Sequence, residues 1–249
     1  MKKIIIAFSL LGIFAISCTK QKGKEVAMER TDMSNTANFQ IHNAIVGSTR
    51  NYLQVDAKFV NGSGLAYGAT FPSTPASFNI PAGFKAFSYF DTLATTTQVP
   101  LSFAQDLQAG ASYTMFTYDS INAPKQKTVY NRIVVPTDTT ARLRFANFVF
   151  NSGASVGTGF DIFSVKRNAV VFTNVSETQV TDYIPYASAL TDTFYIRTTG
   201  SSTNLTNGAT TIFASLNPTR LRSYTLIFRG SYRATSGTNA KTLGTFVNY

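Results

Sequence analysis

At 249 residues the chain is long enough for more than one domain with its own buried core. Its 22 Lys+Arg against 12 Asp+Glu give a formal net charge of +10, and it holds one cysteine, one histidine and no tryptophan. An internal disulfide is therefore excluded, as are zinc sites built from several Cys and His side chains, and any Ser-His-Asp chemistry would have to run through His42.

Met1 is followed by Lys2, Lys3 and the apolar run "IIIAFSLLGIFAIS", which stops at Cys18. This layout predicts a signal peptide over 1–17. A bilayer-spanning helix needs about 20 apolar residues, so the run is short for a span, and no later stretch approaches that length. The four residues "AISC" (15–18) resemble the lipobox of bacterial lipoproteins, with Ala15 where Leu is commoner. The resemblance implies that the Cys18 thiol is acylated and that Cys18 becomes the new N-terminus. The alternative is ordinary cleavage near Ser17, which leaves a free exported thiol. Each buried lipid methylene contributes about 0.8 kcal/mol, so acyl chains can hold the protein on a membrane without crossing it.

Residues 18–36 carry "TKQKGKEVAMERTDMSNT" after the cysteine, a polar stretch without apolar period that predicts a flexible tether. Lys20, Lys22 and Lys24 either lie against anionic lipid heads or are simply solvated.

From Ala37 onward Thr, Ser, Asn, Gly, Phe and Tyr dominate, and runs such as "RLRFANFVF" (142–150) and "YTLIFRGSY" (224–232) alternate with period two. The composition and period predict an all-β fold. The chain also repeats itself. "FQIHNAIVGS" (39–48) lies on "LRFANFVFNS" (143–152) at an offset of 104, "NIPAG" (79–83) lies on "YIPYA" (183–187), and Asp56 falls on Asp161. "NGSG" (61–64) and "KRNA" (166–169) are expected to form the same hairpin in both copies. A period near 105 is the size of one β-sandwich and too long for a solenoid repeat. Two tandem immunoglobulin-like sandwiches are expected, over 37–136 and 137–249. Tyr113 and Tyr224, each in an "L…YT" context before a strand, are expected to tie the connection between sheets to upstream backbone, as in a tyrosine corner. With "IPAG"/"IPYA" and "SYTLIFRGS" in these places, the chain resembles lipoproteins of Bacteroidota built from tandem β-sandwich domains of unknown function. That resemblance implies fold and envelope location and brings no catalytic residue with it.

Candidate chemistry is sparse. His42 alternates with Ile41 and Asn43 and is expected to face solvent, and no Gly-x-Ser-x-Gly elbow accompanies it. The carboxylates after Ala37 stand singly, so no pair, calcium loop or other metal site is expected, and no cofactor. Asp56 and Asp161 are expected to accept backbone N–H groups at the hairpin entrance. Arg142, Arg144, Arg220, Arg222, Arg229 and Arg233 form a candidate anionic-ligand patch, the alternative being arginines that solubilise exposed sheet faces and edges. Tyr52, Tyr67, Tyr183 and Tyr186, read as loop residues, are candidate sugar-stacking groups. Thr92, Ser120 and Thr139 follow aspartates in a pattern that resembles Bacteroidota O-glycosylation acceptors.

The sequence is thus read as a non-enzymatic, lipid-anchored binding or scaffolding protein of the outer membrane, on its periplasmic side or at the cell surface. Its partners would be the membrane, through the N-terminal lipid, and a polysaccharide or an envelope protein; nucleic acid does not fit the compartment. The alternative is a glycan-binding lipoprotein beside an outer-membrane uptake system.

Overall fold

The computed structural model describes residues 34–73, 76–132, 137–151 and 159–248. The expected signal peptide, Cys18 and the tether up to residue 33 lie outside them. The described residues form one compact unit, built from strands without a helix.

In chain order the first half carries β1 (Thr36–Asn43), β2 (Asn51–Val55), β3 (Lys58–Phe59), β4 (Thr70–Phe71), β5 (Phe78–Pro81), β6 (Gly83–Asp91), β7 (Leu101–Leu107), β8 (Ser112–Tyr118) and β9 (Lys125–Tyr130). The second half carries β10 (Ala141–Phe150), β11 (Phe160–Ser164), β12 (Ala169–Val175), β13 (Ile184–Tyr186), β14 (Asp192–Thr198), β15 (Thr206–Asn207), β16 (Thr210–Thr211), β17 (Phe213–Leu216), β18 (Ser223–Ser231) and β19 (Thr242–Val247).

Each half contains two sheets of matching order. One runs β1-β8-β9, with β4 and β5 on the free side of β1, and its counterpart runs β13-β10-β18-β19. The other runs β3-β2-β6-β7, with the counterpart β12-β11-β14-β17. The β15–β16 ribbon has no equivalent among the described residues of the first half. In both halves the first strand pairs in parallel with the last but one of its sheet, and the register repeats: Phe39 lies opposite Tyr113, and Leu143 opposite Tyr224.

Alternation of apolar and polar side chains buries one face of β2, β6 and β14. In the first half Phe39, Ile41, Leu53, Phe87, Tyr89 and Met115 close a core between the two sheets. In the second, Leu143, Phe145, Ile162, Phe194, Ile196 and Leu226 do the same. Tyr113 and Tyr224 behave alike: each hydroxyl accepts a backbone N–H five residues upstream, from Gln108 at 3.1 Å and from Thr219 at 2.9 Å.

The hairpin expectation needs correction. In the second half the chain does reverse between β11 and β12, at 165–168. In the first it reverses at Asp56–Ala57, between β2 and β3, not at 61–64. Both residues have positive φ (49° and 62°), the requirement of a tight type I′ reversal, which Asn or Gly would have signalled. Asn61 instead closes the sheet edge: its Oδ1 accepts the Leu53 N–H at 2.7 Å, and its Nδ2 donates to the carbonyls of Asn51 and Ser63. Asp56 and Asp161 are consequently not equivalent. Asp56 is exposed in the turn, accepts the Ala86 N–H at 3.0 Å and pairs with Lys85 at 3.1 Å. Asp161 is buried within β11 and accepts the N–H groups of Asn174 and Gly200 at 2.7 and 3.0 Å. Both accept backbone N–H, as expected.

Candidate functional site at the junction of the two halves

The strands β1, β8, β10 and β18 are buried on both faces, which plain alternation does not anticipate. Their inner faces line the two cores. Their outer faces meet each other. Phe116 stacks on Phe148 with ring centroids 4.6 Å apart, and His42 stacks on Phe246 at 5.0 Å, with Ala44, Ala146 and Ile227 filling between them. Such ring pairs contribute about 0.5–1.5 kcal/mol each beyond the area they bury.

A polar set continues the same contact. The repeat places Gln40, Thr114 and Asn131 in the first half where the second has Arg144, Thr225 and Asn248. Across the junction Asn248 Nδ2 donates to Gln40 Oε1 at 3.0 Å and to Thr114 Oγ1 at 3.2 Å, and Gln40 Nε2 donates to the Val247 carbonyl at 2.9 Å. Arg144 Nε donates to Thr225 Oγ1 at 2.8 Å, and its Nη2 to Thr114 Oγ1 at 3.3 Å. Its guanidinium also lies 4.7 Å from the centre of the Tyr183 ring. Arg144 is only 2% exposed, and burial pulls its pKa below the ordinary arginine range. Among the described residues the ion pairs are Lys85–Asp56 and Lys125–Asp119, so no carboxylate neutralises it.

His42, expected to face solvent, is 2% exposed. Its position does point away from its own core, but the second half covers that face. Nδ1 shares a 2.9 Å hydrogen bond with Thr70 Oγ1. Burial, reinforced by the Arg229 charge, lowers its pKa to about 3, so the ring is neutral at ordinary pH.

Farther along β18 the junction opens into a cleft of about 570 Å³, lined by Ser48 and Tyr67 from the first half and by Arg229, Thr238, Asn239 and Thr242 from the second. Asn239 Oδ1 accepts the Gly47 N–H at 3.1 Å and holds the two walls together. The Arg229 guanidinium lies 4.8 Å from the centre of the Tyr67 ring. It fits there because residue 68 is glycine: a Cβ at Gly68 would come within 2.5 Å of Arg229 Nη2. Arg229 Nε, the Tyr67 hydroxyl and His42 Nε2 are all buried without a hydrogen-bond partner. Burial raises the Tyr67 pKa.

The six arginines do not share one surface. Arg142, Arg220 and Arg222 gather at the start of β18, where the Arg142 N–H donates to the Arg222 carbonyl. Arg229 and Arg233 lie at its far end, about 20 Å away at 3.3 Å per residue. Arg144 is inside the junction. Arg220, Arg222 and Arg233 are exposed.

Two of the four tyrosines read as loop residues belong to strands: Tyr52 to β2 and Tyr186 to β13. Tyr186 is buried and hydrogen-bonds Ser164 and Asp192, while Tyr67 and Tyr183 pack under arginines. Thr92 and Thr139 are exposed and Ser120 is half-buried. Among the described residues no group of three His, Cys, Asp or Glu side chains is placed to hold a metal.

No protein-family model and no curated protein matches the chain. Among solved structures, the Bacillus anthracis TIE protein is similar over 79% of this chain and 34% of that one, at 8% identity and a TM-score of 0.24. The chain spans about a third of that protein's length.

Proposed function

We propose that this is an exported, lipid-anchored cell-envelope protein. In this reading Cys18 carries the acyl chains, the residues up to about 36 form a tether, and two immunoglobulin-like sandwiches, 37–136 and 137–249, act together as a non-enzymatic binding or scaffolding module, in keeping with the resemblance to Bacteroidota lipoproteins. The observation that carries the binding reading is the junction. Aromatic stacking and a buried hydrogen-bond network join the two halves face to face, and residues from both line one cleft. A surface held this rigidly loses little freedom when a partner docks, which favours presentation and capture. No helix among the described residues is long and apolar enough to cross a membrane. Metabolic labelling with a palmitate analogue, followed by membrane fractionation, tests the anchor. Label in the outer-membrane fraction that disappears in Cys18→Ala supports it; an unlabelled wild type refutes it.

One observation favours glycan binding as a second reading, with the protein working beside an outer-membrane uptake system. On the outer face of the second half, Val170, Phe163, Tyr195 and Phe213 line up in register across β12, β11, β14 and β17. Phe213 is 52% exposed, whereas the Arg197 guanidinium covers the Phe163 ring at 3.7 Å from its centre, so Tyr195 and Phe213 are the rings left for stacking. Tyr52, Phe59 and Phe90 make a similar cluster in the first half. Rows of aromatic rings suit stacking on sugar faces. Retention on polysaccharide gels, lost in Phe213→Ala, would support this reading, and passage of the wild type through all gels would reject it.

A further inference from the structure

We propose that the cleft around Arg229 is a binding site for the carboxylate, phosphate or sulfate of a small hydroxylated ligand. The inference rests on the binding reading above and is independent of the anchor.

Four observations converge on it. Arg229 brings a planar fork of N–H donors to the cleft, its Nε is buried without an acceptor, and it belongs to neither ion pair among the described residues. A buried donor left unpaired costs about 1–3 kcal/mol, more when charged, so an oxyanion that supplies acceptors recovers that loss. The fold has also made room for this side chain: Gly68 gives up a Cβ to it, and the Tyr67 ring supports its flat face. A guanidinium held flat in this way is organised for two-point contact with an oxyanion. Beside it lie the unpartnered Tyr67 hydroxyl, the Thr238 side chain and the amide nitrogen of Asn239, groups that suit the hydroxyls of a polar ligand, while the Ser48 hydroxyl is already bound to Asn43 and to the Ile45 carbonyl. Finally, the cleft volume of about 570 Å³ falls within the range of about 300–1,000 Å³ usual for small-molecule sites.

The repeat supplies an internal control. The first-half residue equivalent to Arg229 is Tyr118, so the sandwich does not require a cation at this register. The carboxylate nearest to this lining by hydrogen bonding is Asp91, which accepts from the hydroxyl of Thr49 at 2.9 Å and is not itself a lining residue.

The test is calorimetric titration of the full chain in detergent with sodium glucuronate and, separately, with sodium phosphate, at fixed ionic strength with chloride as the background anion. Saturable heat with either probe is expected. If glucuronate alone binds, the ligand is an acidic saccharide; if phosphate alone binds, it is a phosphate ester or free phosphate. Arg229→Met should weaken binding at least tenfold. Thr238→Val, in the loop before β19, should weaken it a few-fold and keeps the site testable if Arg229→Met fails to fold. Arg220→Met, at the far end of β18, should leave it unchanged. No saturation in the wild type, or equal loss in Arg220→Met and Arg229→Met, overturns the site. Such a result with intact acyl labelling leaves the anchor reading standing.

Discussion

Protonation of the chain's single histidine should set how stability responds to mild acid. His42 is buried between Phe246 and Thr70, and its pKa falls from an ordinary 6.5 to about 3. Between these values the unfolded chain binds a proton that the folded chain refuses. Stability therefore falls as pH drops through 6.5 and goes on falling until about pH 3. At pH 5 the unfolded histidine is almost fully protonated and the folded one is still neutral, which removes about 2 kcal/mol relative to pH 7. For a body of this size that corresponds to a fall in Tm of roughly 4–8 °C. Urea unfolding of the full chain at pH 7 and pH 5, followed by tyrosine fluorescence, measures it, with His42→Gln as the comparison. Asp161 and Asp192, both with lowered pKa values, stay ionised in this window, and Glu177, whose pKa burial raises, works in the opposite sense. For that reason the decisive quantity is the difference in pH response between wild type and variant. A difference of about 2 kcal/mol is expected. Equal responses would mean that His42 is hydrated or charged in the folded protein, and the buried junction face would be wrong.

Three further substitutions probe separate parts of the structure by the same unfolding measurement. Arg144→Gln installs the side chain found at Gln40 in the other half and removes a buried charge that has no carboxylate partner among the described residues, so stability should change by no more than about 1 kcal/mol in either direction. A loss above about 3 kcal/mol would show that a counter-charge reaches Arg144. Tyr224→Phe deletes only the bond from the Thr219 N–H and should cost about 1 kcal/mol, and no cost would remove the corner's structural role. Asp192→Ala leaves four donors without their acceptor, the hydroxyls of Ser164 and Tyr186 and the N–H groups of Lys166 and Thr193, and should cost about 3–5 kcal/mol, whereas a loss below about 1 kcal/mol would mean that water replaces the carboxylate.

The parts of the fold that were legible in the sequence are those decided locally. Phe39 over Leu143 and Tyr113 over Tyr224 are inner-face residues, and burial against the facing sheet keeps their type and spacing alike in both copies. The outer faces of β1 and β10 are not legible in the sequence, because their burial comes from the other half, about a hundred residues away. Gln40, His42 and Arg144 look like the polar side of a half-exposed strand, and nothing in the neighbouring sequence says that another sheet covers them. A weak signal existed: Ser112, Thr114 and Asn131 recur as Ser223, Thr225 and Asn248, a pattern that a freely solvated face would not need. The Asp56–Ala57 reversal gives little signal, because Asp suits the first turn position but Ala57 stands where glycine usually marks the second. Arg229 stands among the candidate residues that the sequence offers, but the cleft that gives it meaning forms only when residues near 48 and 67 meet residues near 239.

The most direct test of the junction, on which both the binding reading and the cleft depend, is a double-mutant cycle between Phe116 and Phe148. Unfolding free energies of Phe116→Leu, Phe148→Leu and the double variant give the coupling between two rings that belong to different halves and stack at 4.6 Å. A coupling of about 1 kcal/mol is expected for a stacked, buried pair. Strict additivity of the two losses would mean that the halves do not meet through these faces, and the account would fail.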